Sequence, residues 1–220
     1  MDTGETVVAP RRRGRPRKDQ SQPDAPRARL LRRGVAILTE KGFSAVRIEE
    51  VLTAAEVPKG SFYYYFGSKE DFGFALIDEY ADYFAAKLDR WFEDQTLAPL
   101  DRLRAFIADA RQGMARHGFR RGCLVGNLGQ EMGALPPSFR DRLTAVLRDW
   151  EARTARCLTA ARDAGEIPAD TDCVRLAEFF WIGWEGAVLR TKLERDPAAL
   201  DTFAEQFLAM IADDTHERQR

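Results

Sequence analysis

An all-α chain is what the 220 residues predict, and three observations carry that prediction. Apolar residues recur at three-four spacing through almost every stretch after residue 27, the period of one helix face. No stretch alternates apolar and polar residues as a half-buried strand would. Glycines and prolines punctuate the periodic stretches, at Gly42, Pro58, Gly118, Pro136-Pro137 and Gly165, where helices stop or start.

Taken in order, residues 1–26 are prolines, arginines and polar residues without periodicity, which predicts a disordered basic arm. It holds Arg11-Arg12-Arg13-Gly14-Arg15-Pro16-Arg17-Lys18. The Arg-Gly-Arg-Pro core is similar to an AT-hook, which would lay Arg15 and Arg17 in a narrow A·T minor groove. A generic solvated basic tail reads equally well from the same residues. A first helix over 27–41 buries Leu30, Leu31, Gly34, Val35 and Leu38, with Gly42 as its C-terminal cap. Phe43 and Val46 staple the following loop. Residues 47–55 form a second helix on Ile48, Val51, Leu52 and Ala55. Val57 closes the turn, and Pro58 suits the first position of a third helix over 59–66. That helix buries Phe62 and Phe66 and leaves Lys59, Ser61, Tyr63, Tyr64 and Tyr65 on other faces.

Ser68 caps a fourth helix, with Asp71 completing an approximate capping box. It runs to about Asp94 on Phe72, Leu76, Tyr80, Tyr83, Phe84 and Leu88, a rod from an N-terminal head into a C-terminal body. The body continues with helices over 100–117, 122–133, 170–194 and 198–213, and between them a helix opened by Pro136-Pro137 that runs to about Gly165. The eighth and ninth, carrying Trp181, Trp184, Phe203 and Phe207, are too apolar for a monomer surface. Gly183, Gly186 and Ala187 would let another helix come close. The expectation is a homodimer through helices eight and nine, paired as a four-helix bundle. The domains are then an arm over 1–26, a head over 27–70 and a ligand-binding and dimerisation domain over 71–215.

The net charge of −1 hides an asymmetry. Residues 1–70 hold 14 Lys and Arg against 9 Asp and Glu; the rest hold 20 against 26. A basic head on an acidic body predicts that the head meets a polyanion. Three scattered cysteines, Cys123, Cys157 and Cys173, argue against a disulfide framework and fit a reducing cytoplasm. No apolar run approaches 18 residues, so no membrane span is expected. Two histidines, no paired metal-ligand spacing and no glycine-rich phosphate loop predict no enzyme, no metal and no cofactor.

The second and third helices read as a helix-turn-helix, the second of the pair entering a DNA major groove. Lys-Gly-Ser-Phe-Tyr-Tyr-Tyr-Phe-Gly-Ser-Lys at 59–69 resembles the recognition-helix signature of the TetR family of transcriptional regulators. The resemblance implies an N-terminal three-helix head, a helical ligand-binding and dimerisation domain, and a double-stranded DNA operator with inverted repeats. Carried over position by position, it makes Tyr63, Tyr65 and Lys69 phosphate contacts. Lys59, Gly60, Ser61 and Tyr64 meet the groove, and Arg47 is a contact from the second helix.

A sensor site is expected around Phe119-Arg120-Arg121-Gly122-Cys123-Leu124-Val125-Gly126-Asn127-Leu128-Gly129-Gln130-Glu131-Met132-Gly133. Four glycines in one short helix cost about 1 kcal/mol each relative to Ala, which suggests a thin helix over a cavity or close packing. Cys123, Asn127, Gln130 and Glu131 share its face. With Trp181 and Trp184 they would line a cavity for a small ligand with a polar end. This stretch, and Phe180 to Lys192, resemble the acrylate-responsive (AcuR-type) regulators of the TetR family and, more distantly, the electrophile-sensing NemR type. The first likeness implies a repressor released by acrylate or a close relative. The second implies sensing by Cys123 and Lys192. Arg120, Arg121, Asn127 and Lys192 are donors for a carboxylate. Cys123, beside an arginine pair and a helix N-terminus, is expected to have a lowered pKa, or else to be a buried inert thiol.

Overall fold

The computed structural model describes residues 25–217, with side chains as far as Ala212. The arm's Arg15 and Arg17 lie outside the described residues. Among those described every regular element is helical. The head comprises α1 (Ala25–Lys41), α2 (Ile48–Ala54) and α3 (Phe62–Tyr65), with a 3-10 turn over Lys59–Ser61 leading into α3. The body comprises α4 (Lys69–Phe92), α5 (Pro99–Ala115), α6 (Leu124–Gln130), α7 (Ser138–Asp163), α8 (Cys173–Glu194) and α9 (Ala198–Glu217).

The head closes on the predicted face: Leu30, Leu31, Leu38, Val51, Leu52, Phe62 and Phe66 are all buried. Gly42 takes φ +83° and returns its N–H to Leu38 O at 2.9 Å, the left-handed C-terminal cap that only glycine adopts cheaply. The third helix is shorter than expected. Gly60 and three successive tyrosines are weak helix formers, so only one α turn follows the 3-10 turn. Pro58 stands ahead of that turn with ψ 142° rather than inside the helix. What holds so short an element is burial. Phe62 and Phe66 pack on Phe72 of α4 with ring centroids 5.4 Å and 4.8 Å away.

Ser68 caps α4 as predicted, its Oγ accepting from Asp71 N at 2.9 Å. From there α4 passes through the body. Phe74 stacks on Phe139 of α7 at 4.8 Å, and Phe84 meets Trp150 of α7 at 4.4 Å. Trp150 and Trp181 of α8 lie 5.0 Å apart at the centre, and Trp181 Nε1 donates to Thr154 Oγ1 at 2.9 Å. Three boundaries move. α6 covers only Leu124–Gln130; α8 starts after Asp172, whose side chain accepts from Arg175 N; α9 continues to Glu217.

Gly183 serves the chain's own fold. A Cβ there would stand 2.2 Å from the Phe203 ring of α9, so the glycine lets α9 close on α8. The outer face of α8 leaves Phe179, Ile182, Leu189 and Leu193 exposed, with Met210 beside them on α9.

Phe62→Ala should lower stability by roughly 3–5 kcal/mol, because it empties the centre of the head core. Tyr64→Ala, 83% exposed, should stay within about 0.5 kcal/mol. Denaturant unfolding of the two variants checks both.

Candidate functional site

Two surfaces carry chemistry. On the head, Tyr63 and Tyr64 are 70% and 83% exposed while Phe62 between α3 and the core is fully buried. Such exposure of adjacent aromatics costs solvation and marks a contact surface. Arg47, Lys59 and Gly60 are exposed beside them, Ser61 and Tyr65 half-buried. Tyr65 is partly packed against the core and meets Tyr64 edge-on at 5.0 Å. A groove of about 340 Å³ between the two motif helices is lined by Arg47, Lys59, Tyr63 and Lys69 among others. Lys69 departs from its expected orientation. Its Nζ donates to Phe43 O at 3.1 Å and Val46 O at 2.8 Å and lies 4.7 Å above the Phe43 ring. Two of its three donors are thus engaged in holding the α1–α2 loop.

In the body, a cavity of about 320 Å³ opens between α1, α4, α5, the α5–α6 loop and α8. Its walls are apolar: Val35 from α1, Tyr80 and Phe84 from α4, Met114 from α5, Trp184 and Val188 from α8. Basic groups stand around it: Arg32, Lys87, Arg116, His117 and Arg121. Lys87 is already matched with Asp109 at 3.1 Å, and burial lowers its pKa. Burial, then the neighbouring arginines, lower that of His117. The deep end carries Cys123, Glu185 and Tyr80.

Of the two expectations for Cys123, the structure favours the buried thiol over the activated one. Cys123 does stand at a helix N-terminus, its Sγ accepting from Gly126 N at 3.4 Å as the cap of α6. Its pKa is nonetheless pushed well up, by burial first and by the charge of Glu185 second. The arginines that suggested the opposite lie farther out: Arg121 is half-buried and Arg120 is exposed. Glu185 is half-buried as a residue, yet its Oε1 is fully buried without a hydrogen-bond partner. Burial lifts its pKa to about 7. Gly126 makes room for it, since a Cβ there would stand 2.0 Å from Glu185 Oε2. Burial also raises Tyr80, with Cys123 and Glu185 adding to the shift.

The other expected ligand residues divide. Trp184 lines the cavity; Trp181 does not, because its indole N–H is satisfied by Thr154 inside the α7–α8 core. Arg120 turns outward to Glu40 at 3.8 Å, while Arg121 reaches the rim and meets His117 at 3.3 Å. Gln130, Asn127 and Lys192 border a second, small pocket of about 10 Å³ that also includes Cys123, and burial lowers Lys192. Asn127 and Glu131 serve the head. Asn127 Nδ2 donates to Leu38 O and Thr39 O at 3.1 Å and 3.0 Å, and its Oδ1 accepts from Lys192 at 3.3 Å. Glu131 accepts from Phe43 N at 2.8 Å and Ser44 N at 2.7 Å. Gly122 N adds a bond to Thr39 O at 3.0 Å. The α6 segment therefore lines the pocket at one end and grips the α1–α2 corner at the other. Glu185 was the residue that sequence reasoning missed. Its signal was a lone acid inside the apolar run Phe-Trp-Ile-Gly-Trp-Glu-Gly-Ala-Val.

An all-helical head with an aromatic turn facing out, joined through α6 to a body with a cation-rimmed cavity, defines a DNA-binding regulator. Residues 30–76 match the family of bacterial regulatory proteins of the tetR type, and residues 99–207 the tetracyclin repressor-like C-terminal domain. The transcriptional regulator AcuR of Cereibacter sphaeroides is 57% identical over 208 residues, 94% of each chain. The crystal structure of a regulatory protein TetR from Rhodobacter sphaeroides superposes with a TM-score of 0.82 at 58% identity, covering 84% of this chain and 97% of that one. Reduced NemR from E. coli gives 0.74 at 28% identity over 86% and 96%. The chain belongs to the TetR family of transcriptional regulators and is a DNA-binding repressor rather than an enzyme. Among the described residues no helix is long and apolar enough to cross a membrane.

A pH prediction follows from Glu185. Its folded pKa of about 7 lies above the ordinary value of 4.5, so the folded state holds a proton that the unfolded state has lost between these values. The stability it contributes is full below about 4.5 and is lost as pH rises through 7. Glu185→Gln should flatten that decline, by at most about 3 kcal/mol, in urea unfolding compared at pH 5 and pH 8. An equal decline in the variant would place the proton elsewhere.

Proposed function

We propose that the chain acts as a homodimer on an inverted-repeat operator and is released when a small unsaturated acid such as acrylate, or its thioester, enters the body cavity. One observation carries this reading: the cation-rimmed, aromatic-walled cavity shares the α6 segment with the clamp on the α1–α2 corner. A carboxylate suits Arg32, Arg116 or Arg121, and a vinyl group suits Tyr80, Phe84 and Trp184. The likeness of the sequence to acrylate-responsive regulators supports the same ligand class.

On the DNA side, Lys59, Ser61 and Tyr64 would read the groove, and Tyr63 and Tyr65 would bind phosphate, with Arg47 assisting from α2. Lys69 would contribute a phosphate contact only with the donor its loop bonds leave over. The head would span residues 27–70 and the body 71–215. The apolar stripe Phe179, Ile182, Leu189 and Leu193 of α8, with Met210 of α9, would meet its two-fold mate. That arrangement places two recognition elements about one DNA turn apart.

A second reading is capture of electrophiles by a cysteine, favoured by Cys123 standing in the cavity wall beside a carboxyl group. A sensor-less architectural protein would have no use for such a cavity. Gel shifts with purified protein separate these. We expect acrylate, or its thioester, to abolish a shift on the inverted-repeat operator. A shift blind to every small acid would contradict the regulator, and the absence of any shift would contradict DNA binding itself.

A further inference from the structure

The unpartnered carboxyl group at the deep end of the cavity has a use beyond packing. We propose that Glu185 is the proton acceptor that arms Cys123 for addition to an α,β-unsaturated carbonyl ligand, and the donor that completes the addition. This rests on the second reading above, capture by the cysteine.

Three observations support it. Cys123 and Glu185 both line the main cavity and the smaller pocket, so both face the space a ligand would occupy. Both groups flank Gly126, where a Cβ would stand 2.0 Å from Glu185 Oε2 and 3.6 Å from Cys123 Cβ, and Glu185 Oε1 is buried without a partner. Gly126 is the reason it reaches this position, since a side chain there would collide with Oε2. An orphaned buried carboxyl oxygen is costly. Such a cost is more often retained at a reacting site than in inert packing.

The chemistry needs such a group. The Cys123 thiol is buried and its pKa is raised, so few thiolates exist at neutral pH and the residue is unreactive alone. Glu185, near 7, matches the working pH expected of a general base. In the addition, the Sγ–H proton passes to a Glu185 oxygen as sulfur bonds to the β-carbon of the alkene. The C=C π bond breaks and its electrons move to the α-carbon. The proton then passes from Glu185 to that carbon. The product is a thioether, nothing is oxidised, and Glu185 returns to its starting state.

Other titratable groups face this corner. Tyr80 comes from α4 and stays protonated, its pKa well above the usual range. Lys192 of α8 borders the smaller pocket, and Arg32 of α1, Lys87 of α4, and Arg116, His117 and Arg121 after α5 line the main cavity. Of these, His117 is the only imidazole, its pKa lowered by burial and by the neighbouring arginines, and it is controlled for below.

The test is the rate of adduct formation at Cys123 in the full chain, followed by intact mass with acrylamide, a neutral probe, and with acrylate, from pH 5.5 to 9. The wild type should react with a rate that rises through an inflection near 7. Glu185→Gln should react at least about 30-fold more slowly at pH 7 and lose that inflection. Glu185→Asp should react at an intermediate rate and keep it, which carries the test should the glutamine variant lose its helical circular dichroism. With acrylamide, His117→Gln should keep the inflection near 7, whatever it does to the rate. Equal rates and profiles in wild type and Glu185→Gln would overturn the proposal. Release of the operator by acrylate with no adduct on wild-type Cys123 would overturn it too, while leaving the regulator intact. Adducts formed with the expected profile but no effect of any acid on operator binding would support Glu185 as the base and sink the acrylate-released repressor instead.

Discussion

Glu131 is the residue on which the rest of the structure turns. Its carboxylate accepts from two consecutive backbone N–H groups, Phe43 and Ser44, just after the left-handed Gly42. A charged acceptor satisfying two orphaned donors is stronger than a neutral pair. Gly42 must also be glycine for a second reason: a Cβ there would stand 2.2 Å from Glu131 Oε1. The corner between α1 and α2 is thereby pinned to the C-terminal end of α6. Asn127 and Gly122 add three bonds to the last carbonyls of α1.

The same short helix begins at the cavity. Cys123 caps it, Gly126 sits beneath the Glu185 carboxyl group, and Leu124, Val125 and Leu128 anchor it in the core. A ligand that presses on Cys123 or Glu185 presses on a seven-residue helix whose other end holds the DNA-binding corner. Cores are close-packed, so such a segment shifts as a unit rather than deforming gradually. Lys69, bonded to Phe43 O and Val46 O, ties the same loop to the start of α4. The head is therefore gripped by α4 and α6 together, and on the proposed reading a change in their relation would re-aim Tyr63 and Tyr64.

Much of this was legible in the sequence. Periodicity placed the helices because burial on one face repeats every three to four residues, and glycine and proline marked their ends. Tyr63 and Tyr64 were legible because they share a short helix with Phe62 and Phe66 but cannot share its buried face. The cavity was legible only in outline. Trp181 and Trp184 have the same local pattern, and only packing decides that one bonds Thr154 and the other faces the cavity. Asn127 and Glu131 looked like ligand groups because sequence cannot show that α1 ends against them. Cys123 stayed undecided for a related reason: arginines two and three residues away suggested a lowered pKa and its apolar neighbours a buried thiol, and burial with Glu185, 62 positions on, decides for the second. Long-range neighbours set those three outcomes, and no local spacing records them.

Coupling between the two sites is open to direct measurement by titrating acrylate into free and operator-bound protein, for the wild type and for Glu131→Gln. The amide keeps the size of the side chain but presents a donor where an acceptor is needed. With the clamp as the link, operator should weaken acrylate binding to the wild type at least tenfold, about 1.4 kcal/mol of coupling, and the ratio should fall toward one in the variant. An unchanged ratio in Glu131→Gln would mean that the head is switched by some route other than α6.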